Sequence, residues 1–277
     1  MGAKRILVLG STGRVGRLLR LAWARNSPEK VELVLQSRDA TGVTWQPGQP
    51  IPFGQVDAVI ALWGVTHGDK EALAMNTELA LIAQQIGAEC GANRVLHCSS
   101  IAVYAAKDGA LTEADVAAPT NPYGQAKFAM EQAVAQAGGP ASVCLRIGSV
   151  VGAESLANNM RQGWNSQAET LTLDRFADGK GPARSYISPT DLAHVLLTLA
   201  TAKDVPSVIN VGAPDPVHME ALLQAADHPM LWRDAPENAR QYAVMECSQL
   251  AALTDLSPKA SDAKYMIQDW LTLEGRI

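Results

Sequence analysis

A tyrosine and a lysine four residues apart, Tyr123 and Lys127, are the side chains in this sequence best suited to chemistry. Residues with this spacing lie on one face of a helix, and Asn121 followed by Pro122 suits the start of that helix. A free phenol has a pKa of about 10, so it needs a nearby cation before it can exchange protons at neutral pH. The pair therefore predicts an acid/base tyrosine assisted by Lys127.

A serine pair lies upstream, in the segment His97-Cys98-Ser99-Ser100. It follows a predicted core strand at residues 94–97, and open α/β sheets bind ligands at the carboxyl ends of their strands. We expect a hydroxyl from this pair to hold a substrate carbonyl oxygen.

A glycine-rich segment near the start reads Gly10-Ser11-Thr12-Gly13-Arg14-Val15-Gly16. It follows an apolar run at residues 5–9 and precedes a helical pattern at residues 15–23. Glycines let the backbone turn tightly and approach a pyrophosphate, while the helix offers free N–H groups and its positive dipole end. In this strand–turn–helix context the segment predicts a dinucleotide site.

The second predicted strand ends in residues that discriminate between the two nicotinamide cofactors. An acid there would hold the ribose of NAD, but the chain has Gln36-Ser37-Arg38-Asp39. Ser37 and Arg38 suit a 2′-phosphate, and Arg14 could be a second cation for it. Asp39 could instead be the ribose acid in a shifted register. We expect NADP, with NAD as the alternative.

Strand and helix patterns alternate through the first half of the chain. Such alternation predicts an α/β fold, a Rossmann-like doubly wound parallel sheet with helices on both faces. The predicted strands are residues 5–9, 31–35, 56–62, 94–97, 142–146 and 208–211. The predicted helices are residues 15–23, 70–90, 122–136, 189–202 and 219–226.

The pattern changes after about residue 150. We expect residues 1–150 to form the NAD(P)-binding domain and residues 151–277 a smaller C-terminal substrate-binding lobe, interleaved with the last sheet elements. Residues 227–238 are rich in proline and polar side chains and predict a loop.

Composition excludes several classes of function. The chain has 277 residues, 47% apolar and 18% charged, which predicts a globular core. Its 23 basic and 28 acidic residues give a net charge of −5, which argues against nucleic-acid binding. No apolar run reaches the roughly 18 residues of a membrane helix, and the cysteines and histidines lack metal-ligand spacing. We expect a cytoplasmic protein without a metal.

Together these residues resemble the extended short-chain dehydrogenase/reductases of the NAD-dependent epimerase/dehydratase family. The similarity covers most of the chain and holds in order. Besides the glycine loop and the Tyr-x-x-x-Lys pair, it includes Cys98-Ser99-Ser100-Ile101-Ala102-Val103-Tyr104, Arg184-Ser185-Tyr186-Ile187 with Asp191, and Val208-Ile209-Asn210-Val211-Gly212.

The resemblance implies a role for each matched residue. Tyr123 would be the general acid/base, Lys127 would hold the nicotinamide ribose, and Ser100 would hydrogen-bond the reacting oxygen. Arg184 would contact the diphosphate of a nucleotide-sugar substrate. The implied cofactor-binding residues are Gly10, Thr12, Gly13, Arg14, Val15, Gly16, Ser37, Arg38, Ala61, Leu62, Trp63, Tyr123, Lys127 and Ile147. A homodimer through helices 70–90 and 122–136 is a further implication.

Departures from the family pattern narrow the chemistry. The acid pair of the sugar 4,6-dehydratases is replaced by Ile101 and Ala102, which cannot exchange protons. Our first hypothesis is therefore an NADP-preferring reductase or epimerase acting on a small molecule, such as a nucleotide sugar. The alternative is a nucleotide-binding regulator on the same fold. The segment from Asn158 to Trp164 falls where the substrate pocket would lie, although packing roles are equally compatible.

Overall fold

The protein is described by a computed structural model that covers residues 2–39, 41–166 and 170–277, without the side chains of residues 165 and 166. Its strands are β1 (Lys4–Leu9), β2 (Val31–Ser37), β3 (Val43–Thr44), β4 (Ala58–Ala61), β5 (Arg94–Ser100), β6 (Ala141–Ile147), β7 (Ser149–Val150), β8 (Leu171–Arg175), β9 (Ala183–Arg184), β10 (Tyr186–Ile187), β11 (Val208–Val211), β12 (Val217–His218), β13 (Met230–Asp234) and β14 (Tyr242–Ala243).

The helices alternate with these strands along the first part of the chain. They are α1 (Arg14–Arg25), α2 (Lys70–Glu89), α3 (Pro122–Gln136), α4 (Ser155–Ser166), α5 (Pro189–Thr201), α6 (Met219–Ala225), α7 (Ser248–Ala251) and α8 (Ala263–Leu273), with a 3₁₀ turn at Ile101–Val103.

Seven parallel strands form the main sheet, in the order β11-β6-β5-β4-β1-β2-β3. The helices α1 and α5 cover one face, and α2 and α3 cover the other. Alternate residues of β1 enter different cores: Ile6 and Val8 pack on the α1 side, whereas Leu7 and Leu9 pack on the α2 side. A strand buried on both faces must be apolar throughout, which explains its continuous apolar run. The predicted doubly wound α/β fold is confirmed.

Smaller sheets follow in the second half of the chain. β12, β9 and β14 form one of them, and β8 pairs in parallel with β13 in another. The prediction of a loop over residues 227–238 is wrong at β13 (Met230–Asp234). That strand pairs along its whole length with β8, yet its side chains are half-buried or exposed, so no apolar pattern marked it in the sequence.

A histidine in the core of the sheet makes the protein sensitive to acid. His97 of β5 is buried, with Nε2 3.2 Å from Oε1 of Gln84. Burial, and secondarily the charge of Lys127, lowers the pKa of His97 from 6.5 to about 3. As the pH falls below 6.5, the unfolded chain binds a proton here that the folded chain does not bind. The free energy of unfolding therefore decreases between these two pH values.

We expect His97→Gln to remove this dependence. Between neutral pH and about pH 4.5, the free energy of unfolding of the wild type should fall by about 2–3 kcal/mol more than that of the variant. Urea unfolding across this pH range measures the difference. His67→Gln is the control, because His67 is exposed. If the free energy of unfolding changed with pH equally in the wild type and in His97→Gln, the interpretation would be contradicted.

Candidate active site

Three loops meet at the carboxyl edge of the main sheet. The strand register aligns Leu9 of β1 with Ala61 of β4, and Ala61 with His97 of β5. The glycine loop after β1, the segment after β4 and the end of β5 therefore lie side by side. This edge is where open parallel sheets bind their ligands.

The glycine loop has the tight geometry that a pyrophosphate site requires. Gly10 has a φ of +78°, and a Cβ there would lie 2.7 Å from the backbone nitrogen of Trp63. A Cβ on Gly16 would lie 2.5 Å from the Gly10 carbonyl oxygen. No side chain caps the first turn of α1, and Gly13 at its N-cap is exposed, which leaves the backbone open to a phosphate. These residues fit a dinucleotide.

Helix α3 delivers Tyr123 to the same edge. Asn121 caps the helix by accepting a hydrogen bond from the Gly124 backbone at 2.8 Å, and Pro122 is its first residue. A side chain at Gly124 would overlap the carbonyl of Ala102, so glycine lets the helix pack against the 3₁₀ turn. This packing brings Tyr123 into hydrogen-bond contact with Ser100 at the end of β5.

Protein groups alone do not activate the phenol. Burial raises the pKa of Tyr123, while the Ser100 hydrogen bond and the charge of Arg14 oppose this rise. The Lys127 Nζ lies 5.9 Å from the centre of the tyrosine ring and donates to the Cys98 carbonyl at 2.8 Å. Lys127 is not among the groups that shift this pKa, so the expected lowering by Lys127 together with the nicotinamide charge stays a prediction.

Lys127 lies in a buried niche close to the end of β4. It is 4% exposed, and burial lowers its pKa. A Cβ on Gly64, just after β4, would lie 3.2 Å from the Lys127 Nζ and 2.9 Å from the Asn76 Oδ1. Asn76 holds this loop by accepting from the Val65 nitrogen and donating to its carbonyl. This role of Asn76 was missed in the sequence analysis, because its contact with Gly64 joins segments that are separate in the sequence.

The end of β2 differs from expectation in one respect. Ser37 is buried and donates its hydroxyl to the Asp39 carbonyl at 2.5 Å, so it does not present this proton to a ligand. Asp39 accepts from the Thr41 backbone and hydroxyl, which lowers its pKa. Arg38 is exposed. Gln36, at the end of the strand, accepts from the Gly10 nitrogen at 2.8 Å and so supports the glycine loop from below.

Arg14 points away from this strand. Its Nη2 donates to the Thr66 hydroxyl at 2.9 Å, in the loop after β4. The structure therefore does not bring Arg14 to Arg38, with which the sequence grouped it. The remaining predicted cofactor residues line the same edge: Thr12 and Val15 in the glycine loop and α1, Ala61 to Trp63 after β4, and Ile147 at the end of β6.

Arg240, which the sequence analysis missed, lies near Arg184. Arg184 is held by the carbonyls of Ala183 and Gln241, at 2.7 and 2.8 Å. Burial lowers its pKa, and the positive charge of Arg240 lowers it further. Within the described ranges neither guanidinium forms an ion pair with a carboxylate. Arg240 carries no motif signal of its own.

The segment from Asn158 to Trp164 packs on the C-terminal helix. Met160 is buried, and Trp164 stacks on Trp270 with ring centres 5.6 Å apart. Glu274 accepts from Arg161 of α4 and from Arg17 of α1, at 2.6 and 2.9 Å. Met160 and Trp164 therefore serve packing, one of the two expected roles, whereas Asn159 is exposed.

The residues whose placement is described lack two further features. They contain no helix with the length and hydropathy of a membrane span. They also contain no cluster of three or more acidic, histidine or cysteine side chains suited to a metal ion.

Comparison with known proteins identifies a matching family. The sequence profile of the NAD dependent epimerase/dehydratase family matches residues 6–212. A dTDP-6-deoxy-L-talose 4-dehydrogenase (NAD(P)(+)) from Kitasatospora kifunensis is 28% identical over 235 residues, which cover 75% of this chain and 73% of that protein.

Solved structures share the fold at low sequence identity. The UDP-Glc/GlcNAc 4-epimerase of Campylobacter jejuni superposes with a TM-score of 0.77 at 17% identity, covering 99% of this chain and all of its own. A short-chain dehydrogenase/reductase superfamily protein from Agrobacterium tumefaciens with bound NAD gives 0.72 at 18% identity, covering 98% and 97%. With the family profile spanning well over half of the sequence, the chain belongs to the NAD-dependent epimerase/dehydratase family of extended short-chain dehydrogenase/reductases.

Proposed function

We propose that the protein is an NAD(P)-dependent oxidoreductase that interconverts a carbonyl and a carbinol on the sugar ring of a nucleotide-linked deoxysugar. The observation that carries this proposal is the meeting of Ser100, Tyr123 and Lys127 beside the glycine loop. The dTDP-6-deoxy-L-talose dehydrogenase relative supports the substrate class.

Each of the three side chains has a separate task. When bound, the nicotinamide supplies or accepts the hydride. In the reductive direction Tyr123 gives its hydroxyl proton to the developing alkoxide, and Ser100 donates a hydrogen bond to the same oxygen. Lys127, fixed by the Cys98 carbonyl at 2.8 Å, supplies positive charge beside the tyrosinate that remains. Burial makes this charge more effective than it would be in water.

We assign Arg184 and Arg240 to the diphosphate of the substrate. Burial is the main cause of the lowered pKa of Arg184, and the like charge of Arg240 adds to it. A diphosphate would relieve the repulsion between the two charges and accept several charge-assisted hydrogen bonds. The carbonyls of Ala183 and Gln241 fix Arg184 in position for such a ligand.

We propose a preference for NADP over NAD, carried by Arg38. Of the polar residues at the end of β2, the Gln36 amide is engaged with the glycine loop, and Asp39 Oδ1 accepts from the Thr41 backbone and hydroxyl. Arg38 is exposed beside them and can pair with a 2′-phosphate.

Arg38→Gln should weaken NADPH binding about tenfold or more, because a charge-assisted contact is lost, and leave NADH binding within about twofold. Fluorescence titration with both dinucleotides measures this. Arg25→Gln, at the far end of α1, controls for the change in net charge. An equal loss for NADPH and NADH, or no loss, would rule out Arg38 as the selectivity residue.

The activity itself is tested with NADPH and a panel of dTDP- and UDP-linked 4-keto sugars, following the absorbance of the reduced nicotinamide. Consumption of NADPH with one of them supports the proposal. Tight dinucleotide binding with no turnover of any panel member, combined with a change in affinity for a protein partner, would favour the regulator hypothesis instead.

We also propose a homodimer through α2 and α3. On α2, the apolar side chains of Met75 and Leu81 are 39% and 41% exposed. On α3, the exposed residues Gln125, Ala129 and Gln132 are uncharged. Sedimentation equilibrium distinguishes a dimer from a monomer.

A further inference from the structure

Arg14 links two of the loops that border the cofactor groove. It is the first residue of α1, directly after the glycine loop, and its Nη2 donates to the Thr66 hydroxyl at 2.9 Å. Thr66 belongs to the loop after β4. The hydrogen bond therefore spans the opening between the segment that would cradle a pyrophosphate and the segment that approaches Lys127.

The hydrogen bond to Thr66 directs the Arg14 side chain away from the end of the groove where the adenosine would bind. In the sheet, β4 and β2 lie on opposite sides of β1. The adenosine ribose and any 2′-phosphate belong at the end of β2, where Arg38 stands. Arg14 instead reaches from the end of β1 towards the β4 side, where Lys127 and Gly64 are in contact.

Among the residues that the structure describes, the charge of Arg14 has no partner of opposite sign. It forms no ion pair with any described residue, and the first turn of α1 contains no acidic side chain. A cation at a helix N-terminus is unfavourable by itself, because it adds to the positive end of the dipole. An anion bound at this point would interact favourably with both. The same charge also acts on Tyr123: burial raises the pKa of that phenol, and the charge of Arg14 partly opposes the rise.

We propose that Arg14, braced by Thr66, is a clamp on the cofactor pyrophosphate at the reacting end of the groove, and that it does not read a 2′-phosphate. This inference rests on the proposed dinucleotide site. It corrects the grouping of Arg14 with Arg38 and gives Arg14 a second effect, which is to favour the ionised form of the catalytic phenol.

Four ligands separate these roles by calorimetric titration. NADPH, NADH and ADP-ribose have both phosphates of the pyrophosphate, whereas 2′,5′-ADP has the 2′-phosphate and the adenosine-side phosphate but lacks the phosphate nearer the reacting end. Arg14→Gln should weaken NADPH, NADH and ADP-ribose by about tenfold each and leave 2′,5′-ADP unchanged. Thr66→Val should give a smaller loss of the same pattern, because the charge remains. Arg25→Gln, with the same change at the opposite end of α1, should leave all four unchanged.

Two controls keep the outcome interpretable. The melting temperature of Arg14→Gln without ligand should not fall below that of the wild type, since an unfavourable helix-end charge is removed. Spectroscopic titration should also show Tyr123 ionising at a higher pH in this variant than in the wild type.

Other results would overturn the inference. A loss restricted to NADPH and 2′,5′-ADP would make Arg14 a 2′-phosphate residue, and unchanged affinities would remove it from the site. If the wild type bound none of the four ligands, the proposed dinucleotide site itself would fail.

Discussion

Replacing Tyr123 with phenylalanine should lower turnover by about 10²- to 10⁴-fold, the usual contribution of a general acid/base. Helix α3 would keep its close contact with the 3₁₀ turn at Gly124, and Lys127 would keep its bond to the Cys98 carbonyl. Only the proton that moves to the substrate oxygen would be lost. We therefore expect a large fall in kcat with NADPH affinity within about threefold of the wild type, measured by steady-state kinetics and fluorescence titration.

Tyr265→Phe provides the matched control. The Tyr265 hydroxyl also makes a side-chain hydrogen bond, to Asp191 Oδ1 at 3.3 Å, but it lies on α8 outside the site. Its loss should leave kcat unchanged. Turnover of Tyr123→Phe within about threefold of the wild type would exclude Tyr123 as the proton donor.

The second large effect concerns a buried ion pair beneath the catalytic residues. Glu131 of α3 accepts from the Arg146 Nε and Nη2 at 3.1 and 2.7 Å and from the Ser99 hydroxyl at 2.5 Å. Both charged side chains are 6% exposed. Because Ser99 precedes Ser100 and Glu131 follows Lys127 by one helical turn, this pair ties β5, β6 and α3 together directly below the site.

Glu131→Ala should lower the free energy of unfolding by about 3–5 kcal/mol, because it leaves the Arg146 guanidinium buried without a counter-charge. Urea unfolding measures the change. Removing both charges, in Glu131→Leu with Arg146→Met, should recover part of the loss, since no charge then remains uncompensated.

An exposed ion pair gives the comparison for this prediction. The Arg175 and Asp234 side chains are 3.0 Å apart, and that of Asp234 is 89% exposed. Asp234→Ala should therefore lower the free energy of unfolding by about 1 kcal/mol or less. A similarly small cost for Glu131→Ala would mean that the buried pair does not hold α3 to the sheet.

The sequence predicted the parts of the fold that burial dictates. β1, β4 and β11 are covered on both faces, so their apolar runs could be read directly, and the glycine loop had to follow the first of them. β13 was missed because it pairs with β8 at the surface. The side chains of Met230–Asp234 are half-buried or exposed, so neither face of the strand shows an apolar pattern.

The residue types of the site could be predicted from the sequence, but the directions of their side chains could not. The four-residue spacing predicted that Tyr123 and Lys127 lie on one helix face. It could not show that the Ser37 hydroxyl donates to the Asp39 carbonyl. Nor could it show that Arg14 reaches Thr66 on the far side of β1. Side-chain direction at a loop depends on contacts between segments distant in sequence. The balance of burial and charge at Tyr123 depends on such contacts as well.

The most direct test of the central claim, that Tyr123 stands beside the nicotinamide, needs no substrate. The ionisation of the phenol can be followed by ultraviolet difference spectroscopy in the complexes with NADP⁺ and NADPH, with Tyr123→Phe subtracted as the reference. The two ligands differ in the positive charge of the oxidised ring. We predict that Tyr123 ionises at a lower pH with NADP⁺ than with NADPH. Identical titration curves in the two complexes would place the phenol away from the nicotinamide and contradict the proposed chemistry.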